Sequence, residues 1–249
     1  MNNTVSDYGI IRALQPGEAW TMRAIVAVLV FIFGVAPVAA DTIAVIGTGK
    51  VGSALGTELA AEGHTIIYGS RDPTREAVRT LVDKTGNDAR ATFQSDAIKG
   101  ADIVILAVPG MLAGDIAASL GDLSGKIIID PTNPVQFSDG GIRHGVATSN
   151  GELIQDAAPD AFVVKAFNAL SWQYMIDPDA SGGPITIPIV GNDADAKATV
   201  TMLIESLDLH AIDLGPIEHS RWVEGMAVLL INNNFGPLPA FNFHLREIE

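Results

Sequence analysis

The chain has 249 residues, and its 48% hydrophobic content supplies enough apolar side chain for a buried core and argues against disorder. The formal net charge of −14 repels nucleic acid and anionic lipid, so we predict no nucleic-acid partner. There is no cysteine, and the five histidines lack the spacing of metal ligands. These features exclude disulfides and a cysteine nucleophile, and we predict no metal site.

The first 40 residues are predicted to lie outside the fold. Residues 22–40 are arranged like a secretory signal, with a short basic start, an apolar stretch at 24–36 and small residues before Asp41. The stretch is short for a transmembrane helix, so we expect an exported or periplasmic protein with no stable membrane span after cleavage. A membrane anchor or a cytoplasmic leader is the alternative. Residues 1–21 have no periodicity and are assigned to an N-terminal extension.

A glycine-rich turn follows the first predicted strand, residues 42–46. Its sequence is Gly47-Thr48-Gly49-Lys50-Val51-Gly52, which has the G-x-G-x-x-G spacing of dinucleotide-binding proteins. In that motif the first glycine allows a sharp turn, the second lets the backbone approach a pyrophosphate, and the third lets the next helix pack on the sheet. The helix N-terminus also favours an anion. We therefore predict a dinucleotide site, with a structural glycine turn that binds nothing as the alternative.

The second predicted strand, residues 64–69, ends at Ser70 and Arg71, and Arg75 follows one turn later. An acidic residue at this point would bind the ribose 2′-hydroxyl of NAD. A hydroxyl and a guanidinium instead suit a 2′-phosphate. The sequence therefore favours NADP, with two alternatives: Asp72 is a displaced acid that selects NAD, or Arg71 is an ordinary surface residue.

The pattern then alternates between helices and strands. Helices are predicted at 73–85, 95–99, 111–120 and 150–158, and strands at 91–94, 102–109, 126–130 and 162–167. Four candidate site residues lie at or just after the ends of these strands, namely Val108, Pro109, Asn133 and Asn168. Ligands of open α/β sheets bind beyond the carboxyl ends of the strands. We expect Val108 and Pro109 to cover the adenosine or pyrophosphate, and the two amides to contact the nicotinamide or its ribose, although each could be a turn-forming asparagine.

After Asn168 the pattern changes. Residues 185–190 are predicted to form an edge or bulged strand because Pro188 interrupts them. A helix at 193–207, a strand at 209–214 and a long helix at 218–232 follow. Trp222, Met226, Leu229 and Leu230 are predicted to form the apolar side of the long helix. The end of the chain, 239–249, is expected to dock on the body of the protein or on a second subunit.

These elements predict an α/β fold, a Rossmann-like, doubly wound and mostly parallel sheet with a small C-terminal helical extension. We assign residues 41–170 to an NADP-binding domain. Residues 171–249 are expected to complete the sheet and cover the substrate cleft.

Four motifs occur in an order typical of one family. They are the glycine turn at 47–52, the pair Ser70-Arg71, Asp-Pro-Thr-Asn-Pro at 130–134 and Val-Lys-Ala-Phe-Asn at 164–168. In these motifs the chain resembles the NADP oxidoreductases that depend on coenzyme F420, and it is also similar to the reductase domain of the STEAP metalloreductases. The resemblance covers residues 42–235. It implies a Rossmann-like sheet, an NADP site, a flavin or deazaflavin as the hydride partner, and a homodimer.

The first functional hypothesis is an NADP(H)-dependent oxidoreductase that exchanges hydride with a flavin-like small molecule. The segments after the strands show no lysine, histidine or tyrosine placed as a proton donor, and hydride transfer between stacked rings requires positioning more than acid–base catalysis. We therefore predict no catalytic side chain. A carbonyl or imine reductase is the second hypothesis, although it needs an acid–base residue and a larger substrate domain. A non-catalytic redox sensor that binds NADP is the third.

Overall fold

The computed structural model describes residues 40–138, 141–234, 239 and 241–248. The strands are β1 (Thr42–Ile46), β2 (Thr65–Ser70), β3 (Arg90–Phe93), β4 (Ile103–Leu106), β5 (Ile127–Asp130), β6 (Val135–Ser138), β7 (Gly141–His144), β8 (Phe162–Lys165), β9 (Thr186–Gly191) and β10 (His210–Asp213). The helices are α1 (Lys50–Ala61), α2 (Glu76–Thr85), α3 (Gln94–Ala97), α4 (Ala113–Ser119), α5 (Asn150–Ala157), α6 (Trp172–Ile176), α7 (Ala194–Ser206) and α8 (Ser220–Asn234). Short 3₁₀ helices cover Ile98–Gly100, Gly110–Leu112, Pro178–Ser181 and Ile217–His219.

Eight strands form one sheet in the order β10-β9-β8-β5-β4-β1-β2-β3. Six neighbouring strands of this sheet are parallel: β3, β2, β1, β4, β5 and β8. Their order is that of a dinucleotide-binding fold. Ile43 and Val45 pack on the face that carries α1, while Ala44 and Ile46 pack on the face that carries α4. Because helices cover both faces, the strands are apolar throughout. The predicted Rossmann-like, mostly parallel fold is confirmed.

The position of β9 corrects the prediction for residues 185–190. All six residues of β9 are buried, and the strand lies between β8 and β10 rather than at an edge. Strand β8 is antiparallel to β9 and pairs only with Val190 and Gly191. On the other side, the N–H groups of His210 and Leu214 donate to the carbonyl oxygens of Ile185 and Ile189. Pro188 has no N–H to donate, and it is tolerated because its nitrogen faces β8 at a point where β8 forms no hydrogen bonds with β9.

Several boundaries differ from the pattern-based ones. The helix predicted from residue 73 begins at Glu76, because the carboxylate of Asp72 accepts hydrogen bonds from the backbone and hydroxyl of Thr74 and holds a turn. The predicted helix at 111–120 is a 3₁₀ turn followed by the shorter α4. The antiparallel hairpin β6–β7 was not predicted, and it lies outside the main sheet.

The packed face of α8 also differs from the prediction. Trp222 and Leu229 have 73% and 58% of their surface exposed, so assigning them to the apolar side is wrong. The buried residues of α8 are Ser220, Val223, Glu224, Ala227 and Leu230. The face was misjudged because a carboxylate, Glu224, lies in the middle of it.

The segment from 241 to 248 docks on the start of β9. The hydroxyl of Thr186 donates to the carbonyl oxygen of Leu245 at 2.9 Å and lies 3.1 Å from Nδ1 of His244. Among the described residues, no helix combines the length and the apolar character needed to cross a membrane. The signal-like segment predicted at 22–40 lies outside the described residues except for Ala40.

Candidate nucleotide and redox site

A cleft of about 990 Å³ opens above the carboxyl ends of the parallel strands. It lies where the strand order reverses between β1 and β4, which is the usual ligand position in a doubly wound sheet. The residues that line it include most of the predicted site: Gly47, Thr48, Gly49, Lys50, Val51, Ser70, Arg71, Val108 and Pro109, together with Pro131 and Thr132 from the loop after β5. The fold therefore brings the glycine turn, the end of β2 and the loops after β4 and β5 to one cleft.

Two of the glycines are required by the backbone. Gly47 has φ of +111°, and a Cβ there would overlap the carbonyl oxygen of Ala107 at the end of the neighbouring strand. A Cβ on Gly52 would overlap the carbonyl oxygen of Gly47. The first position needs glycine for its conformation, and Gly52 needs it so that α1 can pack against the turn.

Gly49 is different, because a Cβ at this position would meet no protein atom within 4 Å. Its φ of −81° is also ordinary. Gly49 caps α1, so the N–H groups of the first helical turn are directed at the open space beside it. The protein leaves room there and offers donors and the positive end of the helix dipole. This arrangement fits a pyrophosphate.

The end of β2 presents a cationic edge to the same cleft. Arg71 and Arg75 are exposed, and Nη2 of Arg75 lies 3.5 Å from Oγ1 of Thr48 in the glycine turn. Ser70 is buried and its hydroxyl donates to the carbonyl oxygen of Asp72 at 3.0 Å. The carboxylate of Asp72 is engaged by Thr74, and the hydrogen bonds from the Thr74 side chain and backbone lower the pKa of Asp72. Two exposed guanidinium groups thus lie beside the cleft, where they could meet a phosphate.

The loops after β4 and β5 touch each other behind Val108 and Pro109. A Cβ on Gly110 would overlap the carbonyl group of Asn133. The amide of Asn150 joins the same two loops, since Nδ2 donates to the carbonyl oxygen of Gly110 at 2.8 Å and to Oγ1 of Thr132 at 2.7 Å. The wall of the cleft opposite the glycine turn is therefore one hydrogen-bonded unit.

The two predicted amides lie against each other. Nδ2 of Asn133 donates to the carbonyl oxygen of Asn168 at 2.7 Å, and Nδ2 of Asn168 donates to Oδ1 of Asn133 at 2.9 Å and to the carbonyl oxygen of Val223 at 3.1 Å. Asn168 is 5% exposed, and its Oδ1 has no hydrogen-bond partner among the described residues. Phe167, just before it, has φ of +62° and packs in the core. The turn after β8 thus holds a buried acceptor that needs a donor.

Beneath the loop after β5 and the turn after β8 lies a buried ion network that the sequence analysis did not predict. The ammonium of Lys165 is 2.6 Å from Oδ2 of Asp130 and 2.9 Å from Oε1 of Glu224, and all three side chains are fully buried. It also donates to the carbonyl oxygen of Thr132 at 2.8 Å. Burial lowers the pKa of Lys165, but the two carboxylates outweigh it and raise the pKa overall. Lys165 therefore stays charged at neutral pH.

The network reaches the surface through His144 of the β6–β7 hairpin. Nε2 of His144 is 2.7 Å from Oε2 of Glu224, and a quarter of the His144 side chain is exposed. Oε1 of Glu224 accepts the backbone N–H of Asn150 at 2.8 Å. These titratable groups lie behind the loop after β5 and support it. One signal could have revealed them, because a lysine in a strand buried on both faces requires carboxylate partners.

The comparisons with known proteins agree with this geometry. A model of the family described as NADP oxidoreductase, coenzyme F420-dependent, matches residues 42–134. The F420-dependent NADP reductase of Methanothermobacter marburgensis is 30% identical over 204 residues, which cover 76% of this chain and 89% of that protein. A proposed F420-dependent NADP reductase from Arthrobacter sp. FB24 has a crystal structure that superposes with a TM-score of 0.75, at 33% identity, covering 82% of this chain and 99% of that one.

A second group of relatives is longer. Metalloreductase STEAP3 of Rattus norvegicus is 28% identical over 196 residues, which cover 78% of this chain but only 38% of that protein. The chain therefore spans little more than a third of the metalloreductase and nearly all of the archaeal reductase. On the combined evidence of sequence, fold and cleft, the chain belongs to the family of coenzyme F420-dependent NADP oxidoreductases.

Proposed function

We propose that the protein transfers hydride between NADP(H) and a flavin or deazaflavin acceptor related to coenzyme F420. The observation that carries the proposal is the cleft itself, which has an open glycine at a helix N-terminus and two exposed guanidinium groups. The first is suited to the pyrophosphate of NADP and the second to its 2′-phosphate. Bound NADPH would supply the hydride. The protein residues would bind its pyrophosphate and its 2′-phosphate and fix its ring.

The ring end of the cofactor would lie near Asn133 and Asn168. Oδ1 of Asn168 is buried without a partner among the described residues, and neither amide is among the residues that line the cleft, so contact with the nicotinamide carboxamide would require a shift of the loop. Pro131 and Leu112 give apolar surface in the same cleft, against which a second flat ring could lie. Lys165, Asp130 and Glu224 would act only by supporting this loop, because all three are fully buried.

The decisive experiment is rapid mixing of NADPH with a free flavin or a deazaflavin under single-turnover conditions. We expect reduction of the acceptor, with a rate that varies weakly between about pH 6 and pH 8, because Lys165 keeps its charge throughout that range. Rapid turnover of a carbonyl or imine with no transfer to ring acceptors would support a carbonyl or imine reductase. Tight NADPH binding with no turnover of any acceptor would support a redox sensor.

The preference for NADP over NAD is proposed to depend on Arg71. Because Arg71→Ala removes a charge-assisted contact to the 2′-phosphate, NADPH affinity should fall by about 1.5–3 kcal/mol, which is roughly one to two orders of magnitude. NADH affinity should change little. Titrations of both nucleotides by cofactor fluorescence measure this. A wild-type NADPH affinity in the variant would show that the guanidinium is an ordinary surface group.

We also propose that the protein is exported and cleaved after Ala40. The supporting observation is that Asp41 is already fixed in the fold, since its N–H donates to Nδ1 of the buried His64 at 3.2 Å and its carbonyl oxygen accepts the N–H of Thr65 at 2.9 Å. Ala40, just before it, is exposed. N-terminal sequencing of the protein from its native host should begin at Asp41. Recovery from the cytosol with a start at Met1 or Met22 would contradict export.

A further inference from the structure

His144 joins the surface of the protein to the buried ion network. It lies on β7 of the β6–β7 hairpin, and a quarter of its side chain is exposed. Nε2 of its ring is 2.7 Å from Oε2 of Glu224, and Nδ1 is 2.9 Å from the carbonyl oxygen of Val146. Both ring nitrogens therefore face oxygen atoms. A neutral imidazole has one donor and one acceptor, so it can satisfy only one of these two contacts.

The geometry makes His144 an imidazolium in this arrangement. The carbonyl oxygen of Val146 can only accept, so Nδ1 carries a proton. Oε1 of Glu224 accepts from the ammonium of Lys165 at 2.9 Å and from the backbone N–H of Asn150 at 2.8 Å, as an ionised carboxylate does. Its other oxygen, Oε2, also needs a donor, and among the described residues Nε2 of His144 supplies it. The second ring nitrogen therefore carries a proton as well.

Loss of one of these protons would unbalance the network. With His144 charged, the cluster contains two cations and two carboxylates, which belong to Asp130 and Glu224. A neutral His144 leaves one negative charge in excess and turns a lone pair towards Oε2 of the fully buried Glu224. A buried carboxylate oxygen without a donor is unfavourable. Glu224 would then attract Lys165, the other cation of the cluster, more strongly.

The other charged groups near the hairpin have partners of their own. Arg143, next to His144 on β7, donates to the side-chain oxygen of a glutamine on β6 at 3.2 Å. Arg221 of α8 pairs with Glu152 of α5. Glu224 is therefore the charged group that His144 contacts directly, and the rest of the ion network lies behind it.

Lys165 connects the network to the wall of the nucleotide cleft. Its ammonium donates to the carbonyl oxygen of Thr132 at 2.8 Å, and Thr132 lines the cleft in the loop after β5. The hairpin itself is held on α8 by Asn232, whose side chain bonds both the N–H and the carbonyl oxygen of Ile142. A change of charge on the hairpin therefore acts on the ion network instead of releasing the hairpin.

We propose that His144 is a positioning residue for the nucleotide site, and that NADP binding weakens as the pH rises and His144 loses its proton. The charged ring binds Glu224 and leaves Lys165 to hold the loop after β5 against the cleft. This inference rests on the proposed function, because it assumes that NADP lies beside that loop. It concerns affinity, so the rate of hydride transfer at saturating NADPH still varies weakly with pH.

Two substitutions of His144 separate a charge effect from a packing effect. His144→Gln keeps an N–H donor for Oε2 of Glu224 at every pH, whereas His144→Leu keeps no donor. Calorimetric titration of NADP⁺ into the full-length protein measures the affinity of each variant at about pH 6 and about pH 8, the range in which a histidine changes its charge. Each affinity is divided by that of His144→Gln at the same pH, which cancels the ionisation of the nucleotide phosphate.

The three proteins should differ in their pH dependence. We expect the wild type to bind NADP⁺ as tightly as His144→Gln at about pH 6 and about two- to fivefold more weakly at about pH 8. His144→Leu should bind more weakly than His144→Gln by a similar factor at both values, because it never offers a donor to the buried carboxylate. A side chain that only fills space would give a ratio that does not change with pH.

His210→Gln is the matched control. His210 is exposed at the start of β10, an edge strand of the sheet, so this variant should keep the pH dependence of the wild type. Nuclear magnetic resonance of the protein with ¹⁵N-labelled histidine gives a second measurement, in which the His144 signals are those that His144→Gln lacks. We expect both ring nitrogens of His144 to be protonated at about pH 6, and one of them to lose its proton as the pH rises.

The results separate this inference from the proposed function. A His144 ring with one proton at about pH 6, a wild-type affinity ratio that is constant with pH, or the same pH dependence in His144→Leu as in the wild type would overturn the role of His144. Because binding is measured without turnover, the expected pH dependence together with no hydride transfer to any ring acceptor would count against the proposed function alone. Hydride transfer with a constant affinity ratio would count against the role of His144 alone.

Discussion

Replacing Lys165 with methionine is expected to lower the free energy of unfolding by about 3–5 kcal/mol. The change keeps the volume of the side chain but leaves the carboxylates of Asp130 and Glu224 fully buried without their cation. The carbonyl oxygen of Thr132 also loses its donor. Urea denaturation followed by circular dichroism measures the effect at neutral pH.

Lys197→Met is the control for this substitution. Lys197 pairs with Asp213 at 2.7 Å, but half of the Asp213 side chain is exposed, so the loss should stay below about 1 kcal/mol. The pH dependence has a definite sign. The pKa of Lys165 is raised in the folded protein. Lys165 therefore contributes fully to the free energy of unfolding at any pH below its pKa in the unfolded chain, and this contribution is lost only as the pH rises through its pKa in the folded protein. A Lys165→Met variant as stable as Lys197→Met would show that the buried ion network contributes little to the free energy of unfolding.

Gly49→Ala is expected to weaken NADPH binding by about one to two orders of magnitude while leaving the fold intact. The added methyl group meets no protein atom, and the backbone conformation suits alanine, so the loss of stability should stay below about 1 kcal/mol. The same methyl group would occupy the space in which the pyrophosphate is proposed to bind. Thermal denaturation without ligand and NADPH titration separate the two effects.

Gly52→Ala is the matched comparison. Its Cβ overlaps the carbonyl oxygen of Gly47, so this variant should lose both stability and NADPH binding. If Gly49→Ala bound NADPH normally, the pyrophosphate would lie elsewhere. If it lost as much stability as Gly52→Ala, the open space beside Gly49 would be needed by the protein itself.

Much of the fold could be predicted because its signals are local. The glycine turn, the apolar strands and the polar residues at their ends each lie within a few positions of one another, and parallel topology then brings them to one edge. The ion network could not be predicted in the same way. Asp130, Lys165 and Glu224 come from β5, β8 and α8, so only the tertiary structure pairs them.

Three differences between the prediction and the structure have separate causes. Glu224 made the buried face of α8 resemble a polar one, so the exposed Trp222 and Leu229 were taken for the core side. The β6–β7 hairpin has four-residue strands that are largely polar, which is too short for a clear alternation. Pro188 was taken to indicate an edge strand. In the structure β8 runs antiparallel to β9 and pairs only with its last two residues, so the nitrogen of Pro188 interrupts no hydrogen bond between strands.

The close approach of Gly110 to Asn133 has a consequence for binding thermodynamics. Because backbone packs directly on backbone there, the wall of the cleft that would face the nicotinamide is already rigid before any ligand arrives. The conformational entropy of ordering that wall is lost during folding rather than during association. The exposed Arg71 and Arg75 stand at the other end, where side chains must still be immobilised. The conformational entropy lost on binding would thus come mainly from the phosphate end of the site rather than from the ring end.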